Sequence, residues 1–162
     1  MTSSQRHKSV QEWFDEYGVS HRNPLNKLVH FVCVPLIMMS VVGLLWSIPV
    51  PTAQGSLPLP LNWATLFLVL ALIYYGVLSL SLMAGMIPIA AGLAVTAYLL
   101  DRVETIPLWQ ISLGIFAAAW VGQFVGHKIE GAKPSFFKDL QFLLIGPLWI
   151  LGFVYRRLGI EY

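Results

Sequence analysis

The chain has 162 residues, of which 57% are hydrophobic and 11% charged, and its formal net charge is +2. A typical soluble domain carries roughly 25% charged residues, so a soluble fold of this size could not bury so much apolar surface. The small charge, without a basic stripe, excludes a nucleic-acid partner. We therefore expect a single membrane domain, residues 1–162, in which an interfacial segment, 1–22, precedes a helical bundle, 23–162.

The N-terminal segment has an amphipathic pattern. Val10, Trp13, Phe14 and Tyr17 follow the i, i+3, i+4, i+7 spacing of one helix face, and acidic and amide side chains occupy the other face. The pattern predicts a short helix lying along the membrane surface. His7 belongs to the polar start of the segment and is expected to be solvated. Because the segment lacks the apolar core of a signal peptide, we expect it to remain on the mature protein.

Four long apolar runs predict membrane-spanning helices, because about 18 or more such residues cross a hydrocarbon core. Asn23 followed by Pro24 is a good N-cap for the first of them. A hinge is expected at Gly85–Pro88, near the start of the third run. The runs are approximately Leu28–Ile48, Trp63–Leu82, Ala84–Leu100 and Leu108–Gly126.

A fifth apolar run, Phe142–Tyr155, has only 14 residues and is interrupted by Gly146–Pro147. A re-entrant segment therefore competes with a fifth span. The predicted fold class is all-α: a polytopic integral membrane protein with four transmembrane helices, a terminal re-entrant or fifth helix, and an N-terminal interfacial amphipathic helix.

The distribution of basic residues indicates the orientation of the helices, because cytoplasmic segments are enriched in Lys and Arg. With four spans, only Arg102 lies on the outer side, whereas five spans would also place the terminal arginines outside. We prefer four spans, which puts the histidine-bearing segments at the cytoplasmic face. The compact chain favours a bacterial inner membrane over an endoplasmic reticulum as the host membrane. The basic residues on the cytoplasmic side are then Arg6, Lys8, Arg22, Lys27, Lys128, Lys133, Lys138, Arg156 and Arg157.

This topology brings two polar segments to the same membrane face. The first is HRNPLNKLVH, in which Asn26 and His30 share a helix face and His21 precedes the helix cap. An ionisable side chain at membrane depth is unfavourable by about 2.5–3.5 kcal/mol or more, so His30 is expected to face a protein interior.

The second polar segment is QFVGHKIEG. Gln123, His127 and Glu130 fall at i, i+4 and i+7 and therefore lie in one narrow stripe of a helix. Gly122 and Gly126 lie close to the stripe and permit close helix approach.

Together the two segments supply three histidines, His21, His30 and His127, and the carboxylate of Glu130. Imidazole and oxygen ligands suit iron, zinc or manganese. Three other uses of the same residues stay open: axial ligation of haem by His30 and His127, a transporter or proton relay, and a zinc hydrolase with Glu130 as base.

Two blocks of the sequence resemble the membrane-bound 2-hydroxy fatty acid dioxygenase family, whose fungal members act in the breakdown of phytosphingosine to odd-numbered fatty acids. The blocks are YGVSHRNPLNKLVHFVCVPLI, with His21, Asn26, His30 and Pro35, and WVGQFVGHKIEGAKPSFF, with Gln123, Gly126, His127, Glu130 and Pro134. Their order, their spacing and the hydropathy between them all fit, and the resemblance spans nearly the whole chain.

The resemblance implies an Fe(II)-dependent enzyme that uses dioxygen, without 2-oxoglutarate, to shorten a 2-hydroxy fatty acid by one carbon with release of carbon dioxide. The family's histidines map onto His21, His30 and His127, and its acidic position onto Glu130. We expect Glu130 to be a fourth ligand or to orient an imidazole.

The lipid substrate would chelate the iron through its carboxylate and 2-hydroxyl. Asn26 and Gln123 are candidate catalytic donors to the carboxylate or to an iron-bound oxygen species. The chain departs from the family pattern at Ser135, Phe136 and Phe137 and at Phe153. These positions leave the preferred acyl length open, and the oligomeric state is not indicated by the sequence.

Overall fold

The computed structural model describes residues 8–50, 61–103, 105–131 and 142–162. Within these ranges the chain forms helices and no strand, which confirms the all-α prediction. Several positions considered above, namely His7, Arg6, Lys133, Lys138 and 134–137, lie outside the described residues. The helices are α1 Val10–Gly18, α2 Pro24–Trp46, α3 Trp63–Leu78, α4 Leu80–Asp101, α5 Leu108–Glu130 and α6 Ile145–Leu158.

Three of these helices, α2, α4 and α5, have 22 or 23 residues and are long and apolar enough to cross a membrane. The second predicted span, α3, has 16 residues and is about 24 Å long at 1.5 Å per residue, less than the roughly 30 Å hydrocarbon core. All four carry exposed aliphatic side chains, as expected for helices in lipid. Examples are Val32, Leu36, Val69, Ile73, Ile87, Val95, Leu113 and Val121.

The predicted boundary between the second and third spans is wrong. The chain breaks at Ser79, whose backbone is extended and whose Oγ accepts a hydrogen bond from the N–H of Leu82 at 3.2 Å. This serine therefore caps α4, which continues without interruption through Gly85 and Pro88. The extended backbone of Ser79 ends α3, and its hydroxyl caps the start of α4. Pro88 does not end α4, because a proline in a membrane helix is tolerated where neighbouring groups accommodate it.

The ends of the helices that carry the histidines are set by local capping. Asn23 caps α2 by accepting the N–H of Leu25 at 2.9 Å, and Pro24 is the first helical residue, as predicted. Helix α5 ends at Glu130 because Gly131 adopts a left-handed backbone with φ 75°. His127 and Glu130 thus lie in the last turn of a continuous helix.

The helices α2 and α5 run antiparallel and form the most extensive interface of the described bundle. Close approach depends on glycines: a Cβ atom built on Gly126 would lie 2.5 Å from Oδ1 of Asn26, and one on Gly122 would lie 2.6 Å from Sγ of Cys33. At the opposite end of the interface, Gly43 faces Ser112. The start of α2 therefore lies beside the end of α5.

Replacing Gly126 by alanine is expected to lower the free energy of unfolding by about 1–3 kcal/mol, because the added methyl group overpacks the α2–α5 contact. Thermal unfolding in detergent measures the effect. Gly114 on the same helix is the matched control, since a Cβ there meets nothing within 4 Å. Gly114→Ala should be neutral or stabilising by up to about 1 kcal/mol, and equal loss in both variants would contradict the packing argument.

The two short helices, α1 and α6, pack on each other at the end of the bundle that holds the start of α2. The apolar face predicted for α1 is confirmed: Val10, Phe14 and Tyr17 are buried, and their cluster includes Leu148 and Trp149 of α6. This face of α1 is therefore covered by protein.

Helix α6 stays near one end of the bundle. Close to its start, a Cβ on Gly146 would lie 3.3 Å from Val34, near the middle of α2. Near its end, the hydroxyl of Tyr155 donates to the carbonyl of Ser81 at 3.0 Å, and Arg156 lines a groove with Arg22. This arrangement favours the re-entrant alternative over a fifth span.

Candidate metal centre

Three histidines converge where α2, α5 and the α1–α2 linker meet. His21 lies in the linker, His30 lies two turns into α2, and His127 lies in the last turn of α5. Each offers a ring nitrogen within 4.8 Å of those of the other two, and all three side chains are buried, with 3–4% of their surface exposed. The structure therefore brings together the three residues that the sequence analysis selected as metal ligands.

The spacing of the imidazoles fits a shared ion. Nε2 of His21 lies 3.1 Å from Nδ1 and 3.2 Å from Nε2 of His30. Two nitrogens bound to one metal at about 2.1 Å would be about 3.0–3.4 Å apart. The ring centroid of His127 lies 5.1 Å from that of His30 and 5.6 Å from that of His21. A hydrogen bond between His21 and His30 could explain why those two rings are close together. It would not explain why the ring of His127 lies beside both of them. The donor set thus fits a metal that accepts nitrogen ligands.

Tyr17, which the sequence analysis assigned only to an apolar helix face, contacts two of these histidines. Its carbonyl lies 2.5 Å from Nδ1 of His21, and its hydroxyl lies 3.2 Å from Nδ1 of His30. Its ring also stacks on His21 with centroids 4.1 Å apart. The only available signal in the sequence is a tyrosine four residues before a histidine, at the end of an amphipathic helix.

Glu130 lies outside the three-histidine group, and its carboxylate holds the chain that follows His21. Oε1 accepts the backbone N–H of Arg22 at 2.8 Å, while Oε2 accepts the N–H of Asn23 at 2.9 Å and an amide hydrogen of Asn26 at 3.0 Å. These partners are more than 100 residues away in sequence. The carboxylate therefore ties the end of α5 to the start of α2, beside a histidine.

The contacts of Asn26 differ from those predicted for a substrate donor. Its Nδ2 donates to the carbonyl of Ser20 at 2.9 Å as well as to Glu130, so both amide hydrogens have protein acceptors. The residue is fully buried. Its Oδ1 has no hydrogen-bond partner among the described residues and faces Gly126. In this arrangement Asn26 connects the α1–α2 linker to α5.

Gln123 faces a small cavity next to His30. The side chain is 95% buried, and its Oε1 has no hydrogen-bond partner in the described part of the chain. The cavity measures about 30 Å³, enough for a water-sized molecule. Its polar lining consists of Tyr17, His30 and Gln123. Its apolar lining consists of Val34, Ile37, Trp120, Phe142, Leu143 and Gly146.

The fold and the site together define a helical membrane protein with a buried three-histidine group suited to a metal. The profile of the family described as 2-hydroxy-palmitic acid dioxygenase Mpo1-like matches residues 7–158, and the chain belongs to this family. The resemblance inferred from the two sequence blocks is therefore confirmed.

A characterised relative is the 2-hydroxy-palmitic acid dioxygenase MPO1 of Saccharomyces cerevisiae. The chain is 29% identical to it over 145 residues, which cover 88% of this chain and 78% of the yeast protein. No solved structure matches the chain.

Proposed function

We propose that the protein is an Fe(II)-dependent dioxygenase that shortens 2-hydroxy fatty acids by one carbon. The observation that carries this proposal is the buried group of His21, His30 and His127 in a member of the Mpo1-like family. The reaction balances without a second reductant: a 2-hydroxy acid and dioxygen yield the acid one carbon shorter, carbon dioxide and water. The substrate supplies all four electrons that reduce dioxygen.

The three histidines would hold the iron as neutral imidazoles. When bound, ferrous iron supplies a redox centre for dioxygen and a Lewis acid for the substrate's oxygen atoms. Three nitrogen ligands leave coordination positions open, as oxygen chemistry on iron requires. Because the imidazoles are buried, the site excludes bulk water from the reacting groups.

We assign Gln123 to orient the substrate or dioxygen, because its amide faces the cavity beside His30 without a hydrogen-bond partner for Oε1 among the described residues. Glu130 and Asn26 hold the linker that carries His21, and this role replaces the direct substrate contact expected for Asn26. The acyl chain of the substrate would lie along the apolar helices, since a fatty acid is already dissolved in the bilayer.

We place the site at the cytoplasmic face, in a bacterial inner membrane or an endoplasmic reticulum. Arg22, Lys27 and Lys128 lie at the end of the bundle that holds the histidines, while Arg102 follows α4 at the other end. This asymmetry agrees with the enrichment of basic residues on the cytoplasmic side. The same cations would attract the anionic carboxylate of the substrate.

The decisive experiment is anaerobic purification with metal analysis, followed by mixing with 2-hydroxypalmitic acid and dioxygen. The proposal predicts about one iron per chain and one dioxygen consumed per substrate molecule. With substrate labelled at its carboxyl carbon, the label should be released as carbon dioxide. A Soret band would identify a haem protein instead. Zinc without oxygen consumption would favour a hydrolase, and ion or solute flux in proteoliposomes without oxygen consumption would favour a transporter.

The haem alternative has little room in this site. A porphyrin needs a flat slot between its two axial ligands, but the ring centroids of His30 and His127 are 5.1 Å apart. His21 stands beside the same gap, 4.1 Å from His30. Three imidazoles this close together fit one shared ion better than a macrocycle placed between two of them.

Replacing Gln123 by leucine is expected to lower kcat/KM about 10–100-fold, the effect of losing one hydrogen bond to a charged group. Iron content should not change, because Gln123 is outside the histidine group. Stability should be retained or raised, since an amide with an unpaired buried oxygen is replaced by an apolar group of similar size. Gln110→Leu, at an exposed position of the same helix, is the control. Equal turnover in both variants would contradict the assignment.

A further inference from the structure

We propose that Tyr17 is a positioning residue of the metal centre, which holds His21 and His30 in the orientation needed to bind one ion. This inference rests on the metal site of the proposed function and goes beyond it. It adds α1 to the elements that build the site.

The contact with His21 acts through the backbone. The carbonyl of Tyr17 accepts a hydrogen bond from Nδ1 of His21 at 2.5 Å, which places the ring proton on Nδ1 and makes Nε2 the nitrogen that would bind a metal. The stacked tyrosine ring, tilted by 11° from the imidazole plane, prevents His21 from rotating away. The linker histidine is thereby held in one tautomer and one orientation.

The contact with His30 acts through the hydroxyl. Nδ1 of His30 lies 3.2 Å from Oη of Tyr17 and 3.1 Å from Nε2 of His21. With Nε2 of both histidines bound to a metal, the tyrosine oxygen would be the acceptor for the Nδ1 proton of His30. Metal-bound histidines almost always donate their second N–H in this way, and loss of the acceptor typically lowers metal affinity 10–100-fold. One residue thus supplies the acceptor for two ligands.

Tyr17 can do this because its own position is restrained. Its ring centroid lies 5.3 Å from that of Trp149 and 5.5 Å from that of Phe142. One turn earlier on α1, Phe14 is buried against α6, where a Cβ on Gly152 would lie 2.6 Å from Cε2 of the phenylalanine. The position of Tyr17 is therefore restrained by two aromatic neighbours and by the packing of α1 on α6.

The closing experiment titrates detergent-solubilised full-length protein with Co(II) alone, whose visible bands report ligand geometry and occupancy. Tyr17→Phe removes the hydroxyl but keeps the ring and the carbonyl. We expect the dissociation constant for Co(II) to rise about 10-fold and the visible cobalt bands to shift. Tyr75→Phe is the matched control, because Tyr75 is also buried and its hydroxyl donates to the carbonyl of Leu144 at 2.9 Å rather than contacting a histidine. It should keep the wild-type affinity and spectrum.

A second variant tests the docking of α1 without altering Tyr17. Gly152→Val places methyl groups against Phe14 and should weaken cobalt binding more than Tyr17→Phe does, since both histidine contacts are then disturbed. If the wild-type protein binds cobalt and both variants match it in affinity and spectrum, the proposal that Tyr17 positions the histidines is wrong. If the wild-type protein binds no metal, the proposed function fails together with this inference.

Discussion

Replacing His30 or His127 by alanine is expected to remove bound iron and to abolish oxidation of 2-hydroxy fatty acids. Each variant removes one of the three buried imidazoles and leaves only two to hold the metal. The loss should exceed the roughly 10–100-fold change that follows removal of an outer hydrogen-bond partner, because a bond to the metal itself is lost. Iron per chain by elemental analysis and dioxygen uptake with 2-hydroxypalmitic acid are the measurements.

The control for this experiment is His7→Ala, which alters the histidine that the sequence places in the polar start of the chain. It should retain iron and turnover. Since alanine in place of His30 also creates a cavity in α2, His30→Gln is a second variant that keeps most of the side-chain volume. Retained turnover in either His30 variant, or in His127→Ala, would contradict the ligand assignment.

Replacing Glu130 by alanine is expected to give the next largest effect, on both stability and metal affinity. The backbone N–H groups of Arg22 and Asn23 and the amide of Asn26 would lose their acceptor, and each donor left unsatisfied lowers the free energy of unfolding by about 1–3 kcal/mol to the extent that it stays buried. Because Arg22 and Asn23 directly follow His21, iron affinity should fall about 10–100-fold. Thermal unfolding and iron titration measure the two effects.

The same titration separates the two roles open to Glu130. If the carboxylate only positions the linker, excess Fe(II) restores occupancy and turnover in Glu130→Ala, and Glu130→Gln, which keeps one acceptor oxygen, is intermediate. If the carboxylate binds the metal, excess iron does not restore activity and the variant behaves like His30→Ala. Glu16→Gln is the control, since its exposed pair with Lys8 should contribute no more than about 1 kcal/mol.

Much of the site follows from local patterns. His30 was selected because an ionisable side chain inside an apolar helix must face protein, and His127 and Glu130 because they share one stripe of a helix. The distribution of Lys and Arg then placed both segments at one membrane face. Each of these inferences uses only residues near one another in sequence together with the thickness and charge asymmetry of a bilayer.

The finer contacts could not be obtained in this way. Tyr17 has the same spacing as Val10 and Phe14 on α1, and the pattern cannot tell that its hydroxyl meets His30 while the other two side chains only fill the core. Asn26 has the chemistry of a substrate donor, yet its hydrogens are used by Ser20 and Glu130. Such pairings depend on how helices pack, and packing distances are not encoded in helical periodicity.

Apolar runs, capping residues and basic flanks were enough to derive from the chain a helical membrane protein with three histidines at one face, because helix formation and membrane insertion are local, per-residue preferences. Two features came only from the assembled bundle: the contacts of Tyr17 with the rings of His21 and His30, and the partners of Glu130, which lie more than 100 residues away. Close packing at Gly122 and Gly126 brings α2 and α5 together, and this approach determines which polar atoms meet.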